Sequence, residues 1–246
     1  MAGHSKWANI KHRKGAKDKK RSKLFTKLLK EVAIATKEGG SDPAGNPRLR
    51  MAIKNAKKAS VPKDNIDKAV KKGSGADGAA YESLTYEGYA SHGVAVFIEC
   101  MTDNQKRTIA NIRSYFNKYN GSIGKSGSVD YLFERKGMFI FPIEGLDEES
   151  LTLQLLEAGL EDIETDGENY VITCAFEDFG LMNSKLEELN IEAESSLERI
   201  PATTIKLDVA RALTVLKLID LFEDDDDIQQ VFHNLEMTDE IESALA

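Results

Sequence analysis

Between Gly137 and Thr204 the apolar period switches in the order strand, helix, strand, strand, helix, strand, and few folds accept that order. Strands are read over 138–141, 161–164, 170–176 and 193–200, with helices near 147–158 and 179–189. Asp166-Gly167 falls between the two middle strands, where a hairpin turn needs residues that tolerate positive φ. The segment therefore reads as a ferredoxin-like βαββαβ unit.

The rest of the chain must be organised around that unit. Leu24, Leu28, Val32 and Ala35 share one helical face, with Phe25 and Leu29 beside them and Lys23, Lys27 and Lys30 pointing elsewhere. Gly39-Gly40 ends this helix with a left-handed cap. Asn46-Pro47 opens a second helix, whose apolar face is Leu49, Ile53, Ala56 and Ala59. A shorter third helix follows Pro62, carries Ile66, Ala69 and Val70, and stops at Gly73. Residues 74–80, rich in Gly and Ala, read as a linker.

Strands over 84–88 and 94–101 come next, then a helix capped by Thr102-Asp103, with Ile109, Ile112, Phe116 and Tyr119 on its face. A Gly/Ser loop leads to a short strand over 129–133. After the ferredoxin-like unit, a long amphipathic helix (207–222) and one strand (228–233) remain. One helix and one strand cannot fold alone, so they are expected to return to the sheet of residues 81–133 and make that domain discontinuous, with a fourth, docked appendage as the alternative. The expected fold class is α+β, in three domains.

Charge is distributed as unevenly as structure. Residues 1–80 hold 21 of the 33 Lys and Arg but 7 of the 41 Asp and Glu, a balance of +14 against −22 for the remainder. The first thirty residues alone carry eleven cations, opposed only by Asp18. Cations at that density repel one another and build no core, so residues 1–20 read as a mobile basic arm. Neutralising a phosphate backbone releases counterions, which is the commonest gain from such an arm. No run approaches the roughly 20 apolar residues of a membrane span, and no apolar segment follows the basic start as in a secretory signal.

The expected nucleic-acid contacts are His4, Lys6, Trp7, Lys11, His12, Arg13, Lys14, Lys17, Lys19, Lys20, Arg21, Lys23 and Lys27, extended by Arg48, Arg50, Lys54, Lys57 and Lys58 on the second helix. Trp7, the only tryptophan, can stack on an exposed base or anchor against the protein's own body. Arg48 and Arg50 flank a helix start, where backbone N–H groups already favour anions. Lys106 and Arg107 offer a weaker polyanion contact beside the capping Asp103.

Other constellations read as structural. Gly124-Lys125-Ser126 is no Walker A loop, because the spacing places Tyr119 where the first glycine belongs, and the segment follows a helix and opens a strand. It reads as a flexible turn that could form a backbone anion nest. Glu223-Asp224-Asp225-Asp226-Asp227 lacks the glycine of a calcium loop and reads as a solvated turn, with docking of a basic partner, including the chain's own arm, as the alternative. Cys100 and Cys174 lie in strand-like apolar runs as buried reduced thiols, without zinc spacing. No histidine has a nucleophile context. No catalytic residue, metal or cofactor is expected.

The start Gly3-His4-Ser5-Lys6-Trp7-Ala8-Asn9-Ile10-Lys11-His12-Arg13-Lys14 resembles the signature of the YebC/PmpR family. So do Asp42-Pro43, Asn46-Pro47-Arg48-Leu49-Arg50, Pro62-Lys63-Asp64-Asn65-Ile66, Tyr86-Glu87-Gly88-Tyr89, Thr102-Asp103-Asn104 and Gly127-Ser128-Val129, in matching order along nearly the whole chain. The chain departs from many members at Ala90-Ser91-His92 and Gln105-Lys106-Arg107. The resemblance implies a cytoplasmic three-domain protein with an N-terminal helical domain and two α/β domains, the middle one discontinuous. It implies a probable DNA-binding transcriptional regulator without enzymatic activity. Relatives in translation, including a mitochondrial translational activator and factors that help ribosomes through proline-rich stretches, supply the alternative.

These readings combine into a basic arm over 1–20, a helical domain over 21–78, an α/β domain over 79–134 with 205–246, and the ferredoxin-like domain over 135–204. The expected partners are DNA or ribosomal RNA at the basic end and proteins at the acidic body, with no membrane and no small-molecule substrate. A metal-dependent enzyme with a site in an acidic interdomain cleft is the remaining competitor.

Overall fold

The computed structural model describes residues 21–75 and 81–245, with the side chains of Arg21 and Ser22 left out. Three helices come first: α1 (Arg21–Gly39), α2 (Pro47–Lys58) and α3 (Lys63–Gly73). Their shared core is small and alanine-rich, built from Val32, Ala35, Leu49, Ala52, Ala56, Val61, Ile66 and Ala69. Small side chains let the helices approach closely. At Gly73 a Cβ would come within 2.2 Å of the Ala33 carbonyl oxygen, so the α1–α3 contact requires glycine.

Asn46 joins the first two helices. Its Oδ1 accepts from the Leu49 N–H at 3.0 Å, capping α2, while its Nδ2 donates to the carbonyls of Ala35 (2.7 Å) and Gly40 (2.8 Å). One buried amide thus satisfies orphaned backbone groups at both helix ends.

The first sheet contains β1 (Glu82–Tyr89), β2 (Ala95–Thr102), β3 (Ser122–Ile123) and β8 (Ile228–His233), in the order β3-β1-β2-β8. Every pairing is antiparallel. Helices α4 (Gln105–Lys118) and α7 (Val209–Asp224) contribute Ile112, Phe116, Val215, Ile219 and Phe222 to a core shared with Val96, Ile98, Cys100 and Val231 of the strands. Phe116 meets Phe222 edge-on at 5.0 Å. The C-terminal strand therefore completes a sheet begun well over a hundred residues earlier, as a lone helix–strand pair requires.

The second sheet has β4 (Phe133–Pro142), β5 (Leu160–Asp166), β6 (Asn169–Ala175) and β7 (Glu194–Pro201), ordered β5-β6-β4-β7. Helices α5 (Glu148–Leu156) and α6 (Phe179–Glu188) supply Leu151, Leu155, Met182 and Leu186 to a core with Phe139, Phe141, Ile172 and Cys174. This is the ferredoxin-like order expected from the period switches. Residues 132–202 form one compact unit, and the other described residues form a second.

Several local expectations fail for identifiable reasons. Residues 129–132 are not a strand: Val129 is fully buried in a loop, and β4 starts only at Phe133. Ser122 and Ile123, expected in a loop, pair with Tyr89 and Gly88. The cap of α4 is Asn104, which accepts from the Arg107 N–H at 3.1 Å, rather than Asp103. A last helix, α8 (Asp239–Leu245), closes the described chain; its single buried apolar side chain, Ile241, leaves almost no periodic signal in the sequence. Lys27 and Lys30 do not point to solvent but are 8% and 7% exposed, because α1 is covered on a second side.

Candidate nucleic-acid interface

That second side is covered by the end of α7 and the acidic run after it. Lys23, Lys27 and Lys30 recur at helical spacing; the first two meet the last carbonyls of α7, and Lys30 meets the acidic run just beyond it. Lys23 donates to the Asp224 carbonyl at 2.7 Å and Lys27 to the Glu223 carbonyl at 2.9 Å. Lys30 donates to the Asp226 carbonyl at 2.7 Å, to Met101 at 3.2 Å and to Oδ1 of Asp227 at 3.0 Å. Cations belong at a helix C-terminus, where the dipole is negative. Here they come from a different helix nearly two hundred residues away.

Asp227 is the hub. It is 3% exposed and accepts from Arg107 Nε (2.9 Å) and Nη2 (2.6 Å) and from the Thr108 hydroxyl (3.0 Å). Burial pushes its carboxyl up, but Arg107, Lys30 and Thr108 outweigh that and hold it below the ordinary carboxylate value. Asp225 accepts from Asn111 Nδ2 (2.9 Å) and the Tyr115 hydroxyl (3.0 Å). Burial and that acceptor together push the Tyr115 phenol up to about 12. The run 223–227 is therefore not a solvated turn. Lys27 pays a cost in this joint: burial lowers its pKa against the attraction of Glu223, Asp225 and Asp226.

This arrangement sorts the sequence-read contacts. Lys23 and Lys27 are engaged internally, by the carbonyls at the end of α7. Arg48 is engaged as well: its Nε donates to Glu31 at 2.9 Å and its Nη1 pairs with Glu38. Burial would lower the Arg48 pKa, yet the two carboxylates hold it above its ordinary value. Arg107 is spent on Asp227 and Asp103, whereas Lys106 is exposed.

Arg50, Lys54, Lys57 and Lys58 remain. All four are exposed and engage no acid in a salt bridge among the described residues. Spacings of four, three and one residues place them along a single stripe of α2, opposite buried Leu49, Ala52 and Ala56. His4, Lys6, Trp7, Lys11, His12, Arg13, Lys14, Lys17, Lys19 and Lys20 lie outside the described residues, as does the side chain of Arg21.

The glycine-rich loop binds an anion, but that anion is internal. Buried Glu87 accepts from the N–H groups of Gly127 (2.6 Å), Val129 (2.7 Å) and Asp130 (3.0 Å), filling the backbone nest that a phosphate would need. Glu87 stands in the Tyr86-Glu87-Gly88-Tyr89 motif, but nothing in the local sequence gives its role, because its partners lie 40–43 residues away. By contrast, the lysine spacing at 23, 27 and 30 was visible and needed only a partner.

Both thiols are buried and their pKa values are raised by burial first; that of Cys174 reaches about 11. Among the described residues no group of His, Cys, Asp or Glu could hold a metal ion, and no helix is long and apolar enough to cross a membrane.

Residues 5–76 match the model of the TACO1/YebC protein N-terminal domain, and residues 81–235 that of the TACO1/YebC second and third domain. A protein of Amoebophilus asiaticus (strain 5a2), named a probable transcriptional regulatory protein, is 54% identical over 239 residues, spanning 96% of this chain and 98% of its own. The crystal structure of a conserved hypothetical protein from Aquifex aeolicus superposes with a TM-score of 0.82 at 41% identity, covering 90% of this chain and 93% of that one.

Proposed function

The chain belongs to the TACO1/YebC family, and on that premise we propose that it is a non-enzymatic, cytoplasmic, DNA-binding regulator of transcription. The observation that carries the reading is the sorting of its cations. Lys23, Lys27, Lys30, Arg48 and Arg107 are neutralised by the protein's own carbonyls and acids. Arg50, Lys54, Lys57 and Lys58 are left along one exposed helical stripe, in the same +14 segment of the sequence (residues 1–80) as the basic first twenty residues. Four cations in a row cost like-charge repulsion that a phosphate backbone relieves. The relative's name supports a role in transcription.

The test is a salt titration of binding to a labelled promoter duplex by fluorescence anisotropy. Each phosphate contact contributes about 0.9 to the slope of log K against log salt. Replacing Arg50, Lys54, Lys57 and Lys58 by Gln should flatten that slope by about 3–4. Deleting residues 1–20 should flatten it further. An unchanged slope in both variants rejects the reading. Co-sedimentation with ribosomes, without retention on the promoter fragment, would move the target to ribosomal RNA.

A further inference from the structure

The ferredoxin-like unit carries an exposed apolar surface set among acids. Among the described residues, three leucines are more than half exposed: Leu153 (65%), Leu156 (54%) and Leu181 (55%). Leu153 and Leu156 are one helical turn apart on α5, and Leu181 lies in the first turn of α6. The end of α5 abuts the start of α6. A Cβ on Gly159, three residues beyond Leu156, would lie 2.5 Å from Oδ2 of Asp178, three residues before Leu181. All three leucines therefore gather at one pair of helix ends. Isolated exposed leucines are unremarkable, but clustered ones mark a contact surface.

Charge decides what the surface accepts. Residues 132–202 hold 18 Asp and Glu against 4 Lys and Arg, a balance of −14. Exposed Glu149, Glu157, Glu177 and Glu188 lie on the same two helices or next to their ends. A second copy would bring −14 against −14, and nucleic acid or an anionic bilayer would be repelled in the same way. We propose that the abutting ends of α5 and α6 dock a basic amphipathic helix of a partner protein, its apolar side chains on Leu153, Leu156 and Leu181 and its cations on the surrounding acids. This surface is independent of the α2 stripe, so it stands whether or not DNA is the target.

The probe is a labelled synthetic helical peptide with leucines at i, i+3, i+4 and i+7 and lysines elsewhere. A second peptide of equal charge has glutamine in place of every leucine. Both are titrated by anisotropy at physiological salt against the full chain and a Leu153→Ser/Leu156→Ser/Leu181→Ser variant. The three side chains are exposed, so the variant should keep the wild-type melting midpoint. The leucine peptide should bind the full chain, and the variant should weaken it by about tenfold or more. The glutamine peptide should bind both proteins equally and more weakly. Equal affinity of the leucine peptide for both proteins, or equal affinity of the two peptides for the full chain, overturns the proposal. So does a concentration-dependent dimer that the triple variant dissolves, or peptide binding that appears only after residues 1–20 are deleted. Those results would assign the surface to a second copy or to the chain's own leader.

Discussion

The ammonium of Lys30 lies 3.0 Å from Oδ1 of Asp227, 197 residues further along the chain, and both side chains are almost fully buried. Removing one member of a buried pair strands the other's charge, which typically costs about 3–5 kcal/mol. Arg107 would still accompany Asp227 in Lys30→Met, so the lower end is expected, about 3 kcal/mol in urea denaturation. Adding Lys30→Met to Asp227→Asn should cost clearly less than adding it to wild type, because the two residues share one interaction. Additive losses would show that the pair does not act as a unit.

Acid should undo the same joint. The Asp227 carboxyl titrates below its ordinary value of 3.8 in the folded protein. Its contribution is therefore fully present above pH 3.8 and is lost as pH falls through the folded value. The stability difference between wild type and Asp227→Asn should narrow over that window. Lys27 has the opposite sign. It is a base with a lowered pKa, so the folded state holds fewer protons than the unfolded state between the folded value and 10.5, and stability rises with pH there. Lys27→Met should abolish that rise. Urea midpoints measured across both windows check each direction.

Asn46 performs two tasks that substitutions can separate. Asn46→Ala loses the cap on Leu49 and both bonds from Nδ2, and should destabilise by about 2–3 kcal/mol. Asn46→Asp keeps an acceptor for Leu49 but turns an oxygen toward the Ala35 and Gly40 carbonyls. It should destabilise despite being a good cap residue. A thermal midpoint for Asn46→Asp equal to wild type would show that the cap alone matters.

Glu87 can be tested by its loop. Glu87→Gln replaces one accepting oxygen by a donor that faces backbone N–H groups, at a cost of about 1–3 kcal/mol. Amide exchange at Gly127, Val129 and Asp130 should accelerate, while exchange in β1 and β2 stays close to wild type. Protection unchanged at those three amides would mean that other contacts hold the loop.

The ferredoxin-like order was legible because each of its elements packs on its neighbours within one short segment, so period and turn chemistry report it locally. The return of the last strand was legible for a different reason: a lone helix and strand had nowhere else to bury Leu216, Ile219 and Val231. The strand misread at Val129 shows the limit. An apolar residue records that it is buried, not whether an extended strand or a pinned loop buries it.

The candidate interface divides along the same line. Composition and spacing marked every cation of the basic end, and they marked the acidic run, because charge is a property of each residue alone. Which cations remain available was decided by folding. The carbonyl ends of α7 and the carboxylate of Asp227 reach Lys23, Lys27 and Lys30 only once the two segments are brought together, while Arg50, Lys54, Lys57 and Lys58 face away on α2. A charge can be counted in a chain, but its partner, its burial and hence its free energy depend on distances that exist only in three dimensions.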